Sequence, residues 1–192
     1  KEGGGDVETT IAKEESVDAF YASLFAEYKF GETHGVTLGV SYTPVNTTLG
    51  AKTRSTTASA SSAADSSASQ DGGTYEAKAR VSNHATIYIE PTFMPTDNFG
   101  VYLKGGIARV TVNSLEKIAF GEDSSTYDDI STNGLLYGAG FTGNFGGGVF
   151  YKMEIVRTIY DNVTMTSQTG NKNIITADVD QLAGRFAIGY RF

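Results

Sequence analysis

The chain has 192 residues, 40% of them hydrophobic, with 11 Tyr, 11 Phe, 23 Gly, only 3 Pro and a formal net charge of −7. That apolar and aromatic content excludes a disordered chain, and the acidic balance is wrong for gripping nucleic-acid phosphates. The lack of cysteine excludes disulfides and thiolate metal sites, and no run of about 18 apolar residues is present to span a membrane as a helix.

The length fits a single domain, 1–192. Residues 1–16, KEGGGDVETTIAKEES, are polar and resemble neither a leader nor a full-length strand, so they read as an outer loop or N-terminal segment. From residue 17 onward the apolar positions repeat with a period of two. The predicted strands are 17–30, 35–45, 76–94, 99–112, 133–145, 147–160 and 176–192.

Each strand has an oily face. It carries Phe20, Ala22, Leu24, Ala26, Tyr28 and Phe30 in the first strand, and Val36, Leu38, Val40 and Tyr42 in the second. The third strand shows Ala77, Ala79, Val81, Ala85, Ile87, Ile89 and Phe93, with Pro91 near the strand end, where a missing donor is tolerated. The fourth shows Phe99, Val101, Leu103 and Ile107 and then blurs at Arg109, which predicts a bulge or the edge of the apolar zone. In the fifth the face is Leu135, Tyr137, Ala139, Phe141 and Phe145; in the sixth, Val149, Tyr151, Met153, Ile155 and Ile159. The last is Leu182, Gly184, Phe186, Ile188, Tyr190 and Phe192. No stretch has a helical period, so the chain is expected to be all-β.

The connectors alternate. Those at 31–34 (GETH), 95–98 (PTDN) and 145–148 (FGGG) are tight and rich in turn formers, whereas 46–75, 113–132 and 161–175 are long and polar. Sorting of this kind is what a membrane-spanning barrel does, with short turns on one side and long loops on the other.

The opposite faces decide which side is inside. Glu27, Glu90, Lys104, Lys152, Glu154 and Arg185 all lie across from the oily stripe. They sit about three to seven residues up their strands, which at ~3.3 Å per residue puts them in one layer. Three are acidic and three basic. In a narrow barrel such groups must neutralise one another, since unpaired buried charge costs several kcal/mol. Glu90 and Lys104, nearly symmetric about the PTDN turn, are expected to face each other across two strands. The glycines on this face (Gly39, Gly106, Gly138, Gly140 and Gly189) are expected to make room for the long charged side chains. The fold expected is an up-and-down antiparallel transmembrane β-barrel of eight strands, seven of them readable, with the interior filled by side chains.

On these residues the chain resembles the small Gram-negative outer-membrane β-barrels, in particular the opacity-protein-like family, over about 17–192. The most specific element is the terminal strand ending on an aromatic residue. In that family such a terminus is the insertion signal read by the barrel-assembly machinery, which here implies Phe186, Ile188, Tyr190 and Phe192. The last strand is then expected to close the barrel against the first. Family barrels have even strand numbers, so either a first strand lies upstream or VETTIA supplies a short one; the upstream strand is the favoured expectation. The resemblance also implies a bacterial outer-membrane location and contact with outer-membrane lipids and lipopolysaccharide.

Candidates for activity are few. Residues 55–69, STTASASSAADSSAS, within the 46–75 outer loop, read as a hydrophilic cap or as a contact surface for phage or cell-surface ligands. Asn46 and Asn162 stand in N-glycosylation patterns that occur at chance frequency. Glu116, Glu122, Asp123, Asp128 and Asp129 match no metal-loop spacing. His34 lies in a turn and His84 in a strand, with no triad around either, and no phosphate-binding glycine motif is present. The expected function is therefore non-enzymatic, with no cofactor, metal or catalytic residues: a charge-plugged barrel serving envelope integrity and surface recognition or adhesion. The alternative is a narrow porin-like channel for small or hydrophobic solutes. A soluble lipocalin-like barrel is the third reading, disfavoured by the oily outside and the lack of tryptophan.

Overall fold

The fold is taken from a computed structural model, which describes residues 16–31, 34–44, 46–56, 73–118, 128–166 and 174–192. It is all-β, with no helix among the described residues. In chain order the strands are β1 (Leu24–Phe30), β2 (Gly35–Thr43), β3 (Thr47–Thr56), β4 (Gly73–Thr96), β5 (Phe99–Ile118), β6 (Ile130–Gly146), β7 (Val149–Tyr160), β8 (Val163–Thr166), β9 (Ile174–Ala177) and β10 (Asp180–Tyr190).

One antiparallel sheet runs β1-β2-β4-β5-β6-β7-β10, with β3 added alongside the first part of β4 and β8-β9 forming a separate pair. Neighbouring strands are joined by the tight turns, among which Gly146, Gly147 and Gly148 all take positive φ (89°, 62° and 84°). Residues with a Cβ rarely adopt that conformation, so the FGGG run is the reason this hairpin reverses so sharply.

Polarity is reversed relative to an ordinary water-soluble core. On β2, Thr37, Gly39 and Thr43 are buried while Val36, Leu38, Val40 and Tyr42 are exposed. Ile87, Leu103, Leu135, Ile155 and Phe186 are each at least 60% exposed, whereas Glu90 and Lys104 retain only 2% and 7%. The alternation of burial along much of β2, β4, β5, β6, β7 and β10 is the period-two pattern with its apolar half outside.

Several boundaries differ from expectation. Strand pairing at the first strand starts at Leu24 rather than 17, because its partner β2 stops at Thr43 and Pro44 has no N–H to continue the ladder. The 46–75 and 113–132 connectors are not loops throughout. Thr47–Thr56 pairs with Gly73–Val81, and β5 extends to Ile118, so backbone groups projecting past the main sheet satisfy one another. The 161–175 connector likewise contains β8 and leads into β9. Residues 1–15, the run 57–69 and the side chains of Glu116, Glu122 and Asp123 lie outside the described residues, while Asp128 and Asp129 are exposed.

The blurred pattern at Arg109 has a cause. Register shifts between Ser82 and Ala85, opposite Thr111 and Arg109, where β4 holds one residue too many. Asn83 absorbs the bulge at φ 53°, a left-handed conformation that Asn tolerates better than most side chains.

Among the described residues the sheet is not closed: β10 pairs only with β7 and β1 only with β2. The first strand expected to meet β10, upstream or in VETTIA, lies outside the described residues. Both edges run towards the tight-turn end, so they cannot form an antiparallel ladder with each other.

Candidate functional site

The six charged residues singled out from the sequence form one continuous chain of contacts, Glu27–Lys152–Glu90–Lys104–Glu154–Arg185. Lys152 contacts both Glu27 and Glu90. Lys104 Nζ lies 3.1 Å from Glu90 and 2.9 Å from Glu154, and Arg185 reaches Glu154 at 3.5 Å. Acid and base alternate along the series, so the group is neutral as a whole. The ladder explains the Glu90–Lys104 pairing: Ile89↔Gly105 and Thr92↔Tyr102 flank it, which puts the two side chains opposite each other.

Two tyrosines complete the cluster, and sequence reading left both out of the charged set. Tyr88 donates to Glu27 (2.8 Å) and Tyr102 donates to Glu154 (2.9 Å). Their rings also roof the ammonium groups: Lys104 Nζ sits 3.8 Å from the Tyr88 centroid and Lys152 Nζ 4.7 Å from that of Tyr102. The signal was present, because Tyr88 and Tyr102 each stand two residues before a member of the charged set and share its face.

The inward glycines serve a purpose other than the one expected. They seat aromatic rings from the next strand rather than making room for the charged chains. A Cβ on Gly39 would meet the Tyr88 ring at 2.3 Å, one on Gly140 the Tyr102 ring at 2.7 Å, and one on Gly189 the Phe150 ring at 2.3 Å. Each pair is directly opposed across a ladder. At Tyr88 and Tyr102 the missing side chain lets the ring approach the facing backbone, with its hydroxyl on Glu27 and Glu154 respectively. Gly106 and Gly138 are closed instead by backbone and Val156.

Towards the long-connection end the interior changes character. Tyr88, Ala108, Val110, Leu136, Val156 and Tyr160 form a buried apolar layer directly above the ions. This layer was not foreseen, since Val110 and Leu136 lie on the faces that carry charge or glycine lower down. The doubled Leu135-Leu136, one outward and one inward, was its only sequence trace.

Among the described residues neither histidine is paired with a nucleophile or a carboxylate. His84 is buried edge-on to Tyr160, with ring centroids 6.3 Å apart, while nearby Ser82 is engaged by Asn113 at 2.6 Å. His34 stacks on Phe93 at 4.8 Å and accepts the Met94 amide. No cluster of His, Asp or Glu with metal-binding geometry occurs among the described residues.

At the terminus, Phe186, Ile188 and Tyr190 project from the exposed face of β10, and Phe192 lies beyond the strand end, fully exposed. In comparisons with known proteins, the chain matches no family model, no curated protein and no solved structure.

Proposed function

We propose that the chain is a small, non-enzymatic outer-membrane β-barrel of the opacity-like kind. Its interior is plugged by the ion-pair chain, and its outer loops serve envelope integrity and surface recognition or adhesion. The observation that carries this reading is the reversed polarity, with an oily exterior around a paired, buried set of charges. Such an exterior is unfavourable in water and favourable in hydrocarbon. Its size also suits a bilayer. From Leu135 to Phe145, at ~3.3 Å per residue and a strand tilt near ~40°, the outward stripe of β6 is about 25 Å tall, the height of an outer-membrane apolar band.

Closure belongs to the same proposal. Two edges running the same way take one further strand running the opposite way between them, which makes eight. Open edges are not tolerated in hydrocarbon, where unpaired backbone groups cost several kcal/mol each.

Membrane extraction tests the reading. The protein is expected to fractionate with outer membranes, to need detergent for release, and to run faster on gels unheated than boiled. Recovery as a detergent-free soluble protein overturns the proposal. In planar bilayers a plugged interior gives no steady conductance, and stable openings would favour the channel alternative.

A further inference from the structure

We infer that the β8-β9 hairpin is a displaceable stopper, seated in the long-connection mouth of the interior and sealing it independently of the ion pairs. The inference deepens the proposed plugged barrel and rests on that reading.

Its seating is apolar. Val163 is 2% exposed and Met165 is also buried, far more than a four-residue strand achieves on its own. Both pack against Val112 from the inward face of β5, with Val81, Ile130 and Val179 around them. The alternate residues Thr164 and Thr166 are exposed. β8 thus has an oily underside turned into the mouth and a hydroxyl-bearing upper side turned away from it.

Its attachment makes it separable. Among the described residues β8 and β9 pair only with each other, so no ladder of the main sheet seen there is broken when the hairpin lifts. The base is fixed where Tyr160 N donates to Val179 O at 3.1 Å and Asp161 N to Asn133 O at 2.8 Å, with the Thr132 hydroxyl on Asp161 O at 2.9 Å. Above this base, the described residues of the stopper are held to the rest of the chain by side-chain burial alone, the kind of contact that opens locally before the whole fold does. The consequence is an interior with two seals of different chemistry: salt at the tight-turn half and oil at the mouth. Binding at the threonine face of the hairpin then has a physical route to the interior.

The test uses Thr158→Cys in the full chain. Thr158 is 1% exposed and faces inward on β7, beside the apolar layer; no other cysteine is present to confuse labelling. In detergent micelles a bulky, membrane-impermeant maleimide is expected to react slowly. Replacing 162–178 by a short Gly-Ser turn is expected to speed labelling at least ~10-fold, as expected when local opening becomes permanent. In a second variant Val112→Cys and Val163→Cys are paired with each other, and labelling at position 158 is read separately by peptide mapping; oxidation is expected to leave Thr158→Cys in that background unlabelled, and reduction to restore the slow rate at that position. Unheated gel mobility confirms that each variant is folded. Equal labelling with and without the hairpin overturns the inference. Because the assay runs in micelles and reads accessibility, its failure is separate from failure of the outer-membrane reading, which fractionation decides.

Discussion

Lys152 and Glu27 are 125 residues apart and sit on strands that share no ladder, yet their side chains are hydrogen-bonded. β1 and β7 stand five places apart in the sheet order, which in a flat sheet is about 24 Å at ~4.8 Å per step. The contact therefore requires the sheet to curl until its polar face meets itself. The ring contact between Phe25 and Phe150, with centroids 6.3 Å apart, and the bond from Gln181 to Tyr21 draw the two edges together in the same sense. Curling puts six ions in a low-dielectric interior, and pairing makes that arrangement tolerable.

Position along the ion chain sets the cost of breaking it. Glu90 holds two lysines and is nearly fully buried, whereas Glu27 stands at the end and touches one. Glu90→Ala is expected to destabilise the protein by about 3–5 kcal/mol, because it strands buried positive charge. Glu27→Ala is expected to cost less, about 1–3 kcal/mol. Urea unfolding in micelles measures both, and a double-mutant cycle of Glu90→Ala with Lys104→Met should show coupling of about 0.5–3 kcal/mol. Equal losses at the two glutamates would mean that the chain does not act as drawn.

The legible parts of this architecture were those encoded by alternation within one strand. Glu90, Lys104 and Glu154 were found because each interrupts a two-residue rhythm with a charge, and Lys104 could be placed opposite Glu90 by counting from a tight turn. Features that depend on which strand lies next to which were hidden. The seating of Tyr88 over Gly39 is a relationship across a ladder, so neither residue announces it alone. The apolar layer was hidden for another reason: Val110 and Leu136 change the chemistry of a face part-way along it, and a period-two reading assigns one character to the whole face. The pairing of Thr47–Thr56 was missed because Ser and Thr runs satisfy turn and strand patterns alike, and only the partner β4 chooses between them.

The aromatic–glycine pairs give a second prediction. Gly39→Ala puts a methyl group into the Tyr88 ring, and overpacking of this kind is expected to cost about 1–3 kcal/mol. Gly105→Ala and Gly184→Ala are the controls, since nothing lies within 4 Å of a Cβ at either site; each is expected to change stability by less than about 0.5 kcal/mol. Adding Tyr88→Ala to Gly39→Ala removes the clash, so the double variant should be more stable than the sum of the two single losses implies. Strict additivity would argue that the ring does not rest on Gly39.

The bulge supplies a third. Asn83 is held at φ 53° and its side-chain oxygen accepts a hydrogen bond from Tyr42 at 3.1 Å. Asn83→Gly keeps the conformation and loses only the bond, so a change within about 1 kcal/mol is expected. Asn83→Val keeps neither and forces a β-branched residue into the left-handed region, for an expected loss of about 1–3 kcal/mol. Thermal unfolding in micelles ranks the two. If valine is tolerated as well as glycine, the register does not shift at this residue.

The sharpest discrimination lies on the outward face, where the same substitution has opposite consequences in water and in lipid. Ile89 is 46% exposed, at the centre of the outward stripe of β4 that runs from Ala85 to Phe93. On a water-soluble protein, Ile89→Lys at such a position is harmless, because the ammonium simply projects into solvent. In a bilayer the same lysine sits near the midplane, where outer-membrane barrels lose about 2–4 kcal/mol. Arg109, on the outward face of β5 nearer the long-connection end, shows that a cation is accepted there. Ala85 is paired opposite it across the ladder, so Ala85→Lys is made in an Arg109→Gln background to remove the like charge, and is expected to cost much less, about 0–1 kcal/mol near the interface. Unfolding in lipid vesicles measures the gradient between the two sites. A steep loss at Ile89 with little at Ala85 fits an apolar band that ends near Arg109. Equal, negligible losses would remove the bilayer from the account and with it the proposed location of the protein.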